Sequence, residues 1–354
     1  MKCDALNQQR EPGGNTFMTR KFMKLSLLLF GLLFVLAACG TDENESSGET
    51  ATNGSGESGK TEETKTFKIG TTQILEHPSL DAAKEGFKQA IKDAGIEAEY
   101  VDKSANNDNS ANMTIAQQLV SEQVDLIFAN STPSAQAAKG ATADIPIIFT
   151  SVTDAVGAEL IDTMAAPGAN VTGTIDLHPE TMPKTIAFLK ELGATNVGMV
   201  YNAGEQNSVA QITTAKELAE KEGLKIVEAS ASSPAEVKQA AESLIGKVDA
   251  FYIITDNTVV SALESVIDVA NSNKLPLIVG ELDSVERGGL AAYGFDYYDI
   301  GYEAGQMAVQ ILLEGKTPSE IPAAYPANLK LVINKATAET LGLEIKSEWG
   351  AEVQ

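Results

Sequence analysis

From residue 67 onward, short apolar runs alternate with segments whose apolar residues recur at helical spacing. Such alternation predicts parallel strands linked by helices that cover both faces of the sheet. A strand is expected at 67–72. A helix follows at 80–94, where Leu80, Ala83, Phe87, Ala90 and Ala94 share one stripe. Ser79 is the expected N-cap, Asp81 suits the first turn, and Gly95 stops the helix. Strands are then expected at 96–101, 124–129 and 145–149, with helices at 113–122 and 135–142 between them. The same grammar restarts with strands at 196–201, 224–229, 249–254 and 276–279, separated by helices at 208–222, 234–245 and 259–271. The tail adds strands at 290–294 and 329–333 and helices at 298–314 and 336–341.

The halves also share local wording. "VDLIFANSTPSAQAA…IPIIFTSVTD" in the first parallels "VDAFYIITDNTVVSA…LPLIVGELD" in the second. Each has Val-Asp, a buried strand, a small polar tip, a helix, and a strand led by proline. The fold class that follows is α/β, with two Rossmann-like lobes of parallel strands facing across a cleft. The tail is long enough to give a strand and a helix back to the lobes. The chain should therefore cross three times, near 172–176, 294–296 and 321–328. The first lobe is then 67–174 plus 296–321, and the second 175–295 plus 322–349. In open sheets of this kind ligands sit beyond the carboxyl ends of the strands, so the polar tips are the places to examine.

The start of the chain carries different information. Arg20, Lys21 and Lys24 precede an apolar run over 25–38 that ends Leu36-Ala37-Ala38-Cys39. The run is shorter than the ~20 residues a spanning helix needs, and small residues before a cysteine mark a lipoprotein signal peptide over 1–38. Cleavage would leave Cys39 as the lipidated residue; a single transmembrane anchor is the alternative. Residues 1–17 read as an upstream start assignment, with Met18 or Met23 as the starts, and Cys3 would leave with the leader. Residues 39–66 are acidic, rich in Ser, Thr and Gly, and poor in anything to bury, so a disordered tether is expected. The formal net charge of −23 at pH 7 offers no basic face for nucleic acid.

The segments "ILEHPSLDAAKEGF", "VDLIFANSTPSAQAA", "IPIIFTSVTDAVGAEL", "NVTGT", "VDAFYIITDNTVVSALE" and "YGFDYYDIGYEAGQMA" resemble the ABC-transporter substrate-binding lipoproteins of the tryptophan/tyrosine-binding type. The resemblance covers 67–345. It implies a type I periplasmic-binding-protein fold with a three-segment hinge, import of a small solute, and aromatic amino acids as ligands. It also implies a monomer that hands its ligand to ABC permease subunits at the extracytoplasmic face of the cell membrane. Ala155 departs from the family, which often has proline there.

An amino acid needs hydroxyls and backbone N–H groups for its carboxylate and an acidic group for its ammonium. Ser131, Thr132 and Ser134 on one tip, and Ser151, Thr153 and Asp154 on the next, suit the carboxylate, although simple helix caps would look the same. For the ammonium Asp256 is the first candidate, Asp296 the second and Glu281 the third. Asn257 sits beside Asp256. Gln73, Glu76 and His77 follow the first strand, and Asn202, Asn207 and Ser208 frame the corresponding turn of the second lobe. Phe149, Tyr201, Phe295 and Tyr298 are the flat groups at hand for an aromatic ligand. A nucleophile elbow, a phosphate loop and a paired-histidine metal motif are all lacking, so no enzyme, cofactor or metal is expected. A lipid-anchored sensor or adhesin, or a receptor for a sugar or nucleoside, would fit the same fold.

Overall fold

The computed structural model describes residues 65–354. The leader, Cys39 and nearly all of the tether lie outside the described residues.

The first sheet is built from β1 (Phe67–Gln73), β2 (Ala98–Ser104), β3 (Leu126–Asn130), β4 (Ile147–Val152) and β5 (Val171–Ile175). Its order is β2-β1-β3-β4-β5, every pair parallel. The connecting helices are α1 (Pro78–Asp93), α2 (Asn109–Ser121) and α3 (Thr132–Ala141). After α4 (Thr181–Glu191) the second sheet begins with β6 (Asn196–Tyr201), α5 (Gln206–Glu222), β7 (Lys225–Ser230), α6 (Val237–Ser243) and β8 (Ala250–Ile253). It continues through α7 (Asn257–Ser261), α8 (Leu263–Ser272), β9 (Leu277–Val279), α9 (Leu282–Glu286) and β10 (Ala291–Gly294). Then come α10 (Tyr297–Glu314), β11 (Lys330–Ile333), α11 (Lys335–Leu341) and β12 (Glu352–Val353). The order is β12-β11-β10-β9-β8-β6-β7, parallel except where β10 meets β11.

Several elements differ from the sequence pattern. The first crossing is expected near 172–176, but Val171–Ile175 forms the edge strand β5 before the chain leaves the lobe. The single helix expected at 259–271 is broken at Ala262, whose backbone departs from helical values (φ −123, ψ 28). Helix α1 is capped at His77 and not at Ser79, because Pro78 takes the first helical position, where a missing N–H costs nothing. Helix α2 starts early because Asp108 accepts from the N–H groups of Ser110 and Ala111. Helix α4 carries Pro183 in its first turn, where the N–H has no partner to lose.

Apolar side chains pack on both faces of each sheet. In the first lobe one face is covered by α1 together with α10, which arrives from the far end of the chain. There Ala304, Met307 and Ala308 join Phe87, Phe128 and Ile148. The two helices touch through glycines. A Cβ on Gly301 would lie 1.9 Å from the carbonyl oxygen of Ala83, and one on Gly86 2.1 Å from that of Tyr298. Backbone cannot yield as a side chain can. Gly301→Val is expected to destabilise the domain by about 3 kcal/mol or more, at the upper end of overpacking costs, read as a lowered denaturation midpoint with an unchanged slope.

Candidate functional site: the cleft between the lobes

The carboxyl ends of β1, β3 and β4 face those of β6, β8 and β9. Contacts that join the lobes include Thr258 Oγ1 with Asn107 Oδ1 at 3.2 Å, Gln211 Nε2 with Thr153 Oγ1 at 3.4 Å, and the Ser79 hydroxyl with the Glu281 carboxylate.

On the first lobe, two strand tips hold non-glycine residues at positive φ, Ser131 (φ 114) and Ser151 (φ 54). Backbone strain of this kind persists where surrounding structure enforces it, often at ligand sites. Ser131 caps α3 by accepting from Ser134 N, and the Ser134 hydroxyl donates to Asn112. The hydroxyls of Thr132 and Ser151 are buried and have no partner. Thr132 opens α3, where free N–H groups and the helix dipole favour an anion, and Ser151 lies near the end of the neighbouring strand β4. Gln73 gives its amide N–H to Leu75 and Asp81, leaving Oε1 unpartnered. His77 is 6% exposed. Burial and the nearby Arg287 pull its pKa down to about 4, which makes it a neutral imidazole with an unpartnered Nδ1.

The second lobe contributes mostly acids and amides. Asp256 Oδ2 accepts from Asn202 N and Ser208 Oγ, both at 2.6 Å, and Oδ1 accepts from Val259 N at 2.8 Å. Burial, with the Glu205 carboxylate close by, pushes its pKa up to about 7. Asn207 and Asn257 both bond to Glu205. Glu281 is 2% exposed and its pKa is pushed up to about 8, chiefly by burial. At the hinge, Asp176 accepts from Thr153 at 3.0 Å and from the Tyr297 hydroxyl at 2.8 Å, and burial lifts its pKa to about 6.

The candidates are not all brought together. Gln73, His77, Ser131, Thr132, Ser134, Ser151, Thr153, Asn202, Asn207, Ser208, Asp256, Asn257 and Glu281 are buried at the facing strand ends. Glu76 is exposed, beside Lys84 and Lys88 on the outer surface. Asp154 accepts from Gly157 N and lines a groove of about 250 Å³ at the cleft's edge, with Val156, Met164, Leu177 and Tyr325. Asp296 is exposed and caps α10 through Tyr298 N, near Lys330 on an outer face. Phe295 is buried and stacks on Tyr297 at 5.6 Å. Phe149 belongs to the core, Tyr201 bonds Glu228, and Tyr298 stacks on Tyr302. Asp176, Glu205, Gln211 and Tyr297 were not singled out from the sequence. A signal existed for Gln211, which lies one helical turn beyond Asn207 on the same face.

Among the described residues, Asp176, Glu205, Asp256 and Glu281 are buried and no lysine or arginine is. Two parallel-sheet lobes closing on an acid-lined, hydroxyl-rimmed cleft define a bilobed solute receptor of the type I periplasmic-binding-protein class.

The chain belongs to the family of ABC transporter substrate binding proteins, whose model matches residues 68–352. It is 42% identical, over 90% of its length and 92% of the relative's, to a tyrosine-binding protein of Clostridioides difficile (strain R20291). Among solved structures, an ABC domain from Streptococcus pneumonia in complex with L-Trp matches with a TM-score of 0.78 at 32% identity, covering 82% of this chain and 100% of that one. The ligand-free, open structure of a Clostridium difficile substrate-binding protein with adhesive properties matches with 0.62 at 40% identity, covering 81% and 99%. The nearer sequence gives the poorer superposition.

Proposed function

We propose that this chain is the extracytoplasmic receptor of an ABC importer, anchored through Cys39, which closes around an aromatic amino acid and hands it to a membrane permease. The observation that carries the reading is the excess of buried carboxyl groups over buried cations. Uncompensated acids in a low-dielectric cleft are costly, and a ligand ammonium would neutralise them. The ammonium is assigned to Glu281 and Asp176. Asp256 has three donors of its own lobe on its carboxylate and serves to shape the wall. The α-carboxylate is assigned to the start of α3, with Thr132 and Ser151 as hydroxyl donors. The likeness to a tyrosine-binding protein and to an L-Trp complex supports an aromatic side chain. The lobes, 67–174 with 296–321 and 175–295 with 322–349, would rotate about the three crossings, and the ligand favours closure through contacts that only the closed state makes.

Titration calorimetry of the purified protein is expected to show micromolar or tighter binding of L-tyrosine or L-tryptophan, on the order of −8 kcal/mol. Binding of a sugar or nucleoside with no response to any amino acid would refute the assignment. The adhesive properties of the Clostridium difficile neighbour favour a second reading, a lipid-anchored sensor or adhesin that keeps the binding site. Loss of labelled amino acid uptake in a deletion strain separates the importer from it.

A further inference from the structure

Glu205 is 2% exposed, has no cationic partner, and receives six donors. Its Oε1 accepts from Thr258 N at 3.2 Å, Thr258 Oγ1 at 2.8 Å and Asn202 Nδ2 at 3.4 Å. Its Oε2 accepts from Asn257 Nδ2 at 2.5 Å, Asn207 Nδ2 at 3.3 Å and Asn257 N at 3.4 Å. A carboxylate only accepts, so it settles which end of each amide faces it. The side-chain NH₂ groups of Asn202, Asn207 and Asn257 must turn toward Glu205, and their carbonyl oxygens must turn away. Asn207 Oδ1 is left buried and without a partner, while Asn257 meets His77 of the other lobe. Asn207 also reaches the carbonyl of Thr255, whose hydroxyl accepts from Gln211; Gln211 touches Thr153, and Thr153 bonds Asp176. The orphaned amide oxygen thus belongs to one network with the hinge carboxylate.

We infer that Glu205 is a positioning residue for ligand recognition: by holding the amide nitrogen of Asn207, it leaves Oδ1 of that residue as an unpartnered acceptor in the second-lobe wall of the cleft and so makes the site selective for a ligand bearing an amine. The inference rests on the amino acid reading given above and adds the device that enforces it. Asn207 Oδ1 takes one ammonium proton, and Glu281 and Asp176 take the others. A ligand of the same shape without the amine leaves Asn207 Oδ1 desolvated and unpaired, which is how buried polar groups reject an analogue. Glu205 itself does not touch the ligand.

The test compares L-tyrosine with its des-amino analogue, 3-(4-hydroxyphenyl)propanoate, by titration calorimetry. The wild-type protein is expected to prefer the amino acid by about a hundredfold or more. Glu205→Gln keeps the shape but places an NH₂ where one oxygen was, so that one asparagine must turn over. It should cut the preference about tenfold or more by weakening L-tyrosine while sparing the analogue. Asn207→Ala leaves Glu205 in place, should move the ratio in the same direction, and decides the matter if Glu205→Gln does not fold. Equal weakening of both compounds by Glu205→Gln, or an unchanged ratio in Asn207→Ala, would overturn the inference. A wild-type protein that binds neither compound, nor any other amino acid, fails at the earlier step and takes the inference with it.

Discussion

Glu281→Gln is expected to lower affinity for L-tyrosine or L-tryptophan by about thirtyfold or more, since removing one partner of a buried charge pair costs about 2–5 kcal/mol, roughly 30-fold to several thousandfold. Both hydroxyls that reach Glu281, from Ser79 and Ser284, go to Oε2, and no lysine or arginine is buried among the described residues. An arriving ammonium would be its only buried counter-charge. Asp176→Asn should cost less, because Thr153 and Tyr297 already donate to that carboxylate. Ser79→Ala removes a cross-lobe hydrogen bond to a carboxylate and is expected to cost about 1.5–3 kcal/mol. If Glu281→Gln binds L-tyrosine as tightly as the wild type does, the group acts as a neutral acid and the ammonium lies elsewhere.

The second large effect is on closure in the absence of ligand. Burial pushes Glu281 from 4.5 to about 8, Asp256 from 3.8 to about 7 and Asp176 from 3.8 to about 6. The empty closed state therefore holds protons that an open, hydrated cleft gives up. The stabilisation of closure from these acids is complete below their ordinary pKa values and is lost as pH rises through the raised ones. His77 works in the opposite sense, since its pKa falls from 6.5 to about 4 and closure loses stability as pH drops between those values. Above about pH 6.5 the acids act alone. Raising pH from 6.5 to 8.5 is expected to open the ligand-free protein, seen as an increased radius of gyration in small-angle scattering. Saturating L-tyrosine should abolish the change. A ligand-free radius that is constant over this window would mean that the acids are hydrated in solution.

The frame of the site was legible in the sequence because strand tips follow from the alternation of elements. Small polar residues at those tips, such as Ser131, Thr132, Asn207 and Asn257, read as facing the cleft from the alternation alone. What pairs with what could not. Ser79 reads as a helix cap, yet its hydroxyl reaches Glu281, a partner 202 residues along the chain. Asp256 reads as a free acid facing a ligand, and its oxygens turn out to hold the start of α7 and the β6 turn. Glu205 lies in "YNAGEQNS" between Asn202 and Asn207, and nothing in that spelling marks it out. Only tertiary burial shows that six donors converge on it. Near the second crossing the sequence offers Phe295 and Tyr298 as flat groups, while Tyr297 carries the bond to Asp176. One residue of error at a helix start turns a side chain by a quarter of the circumference.

The glycine-mediated seat of α10 on α1 bears on how the chain acquires its fold. The covering over Phe87, Phe128 and Ile148 is delivered by residues 304–308, so a nascent chain cannot finish its first lobe until the second is almost complete. Contacts this distant in sequence make structure acquisition slow. They also keep the emerging polypeptide open, because the first lobe is not a finished module before α10 is made.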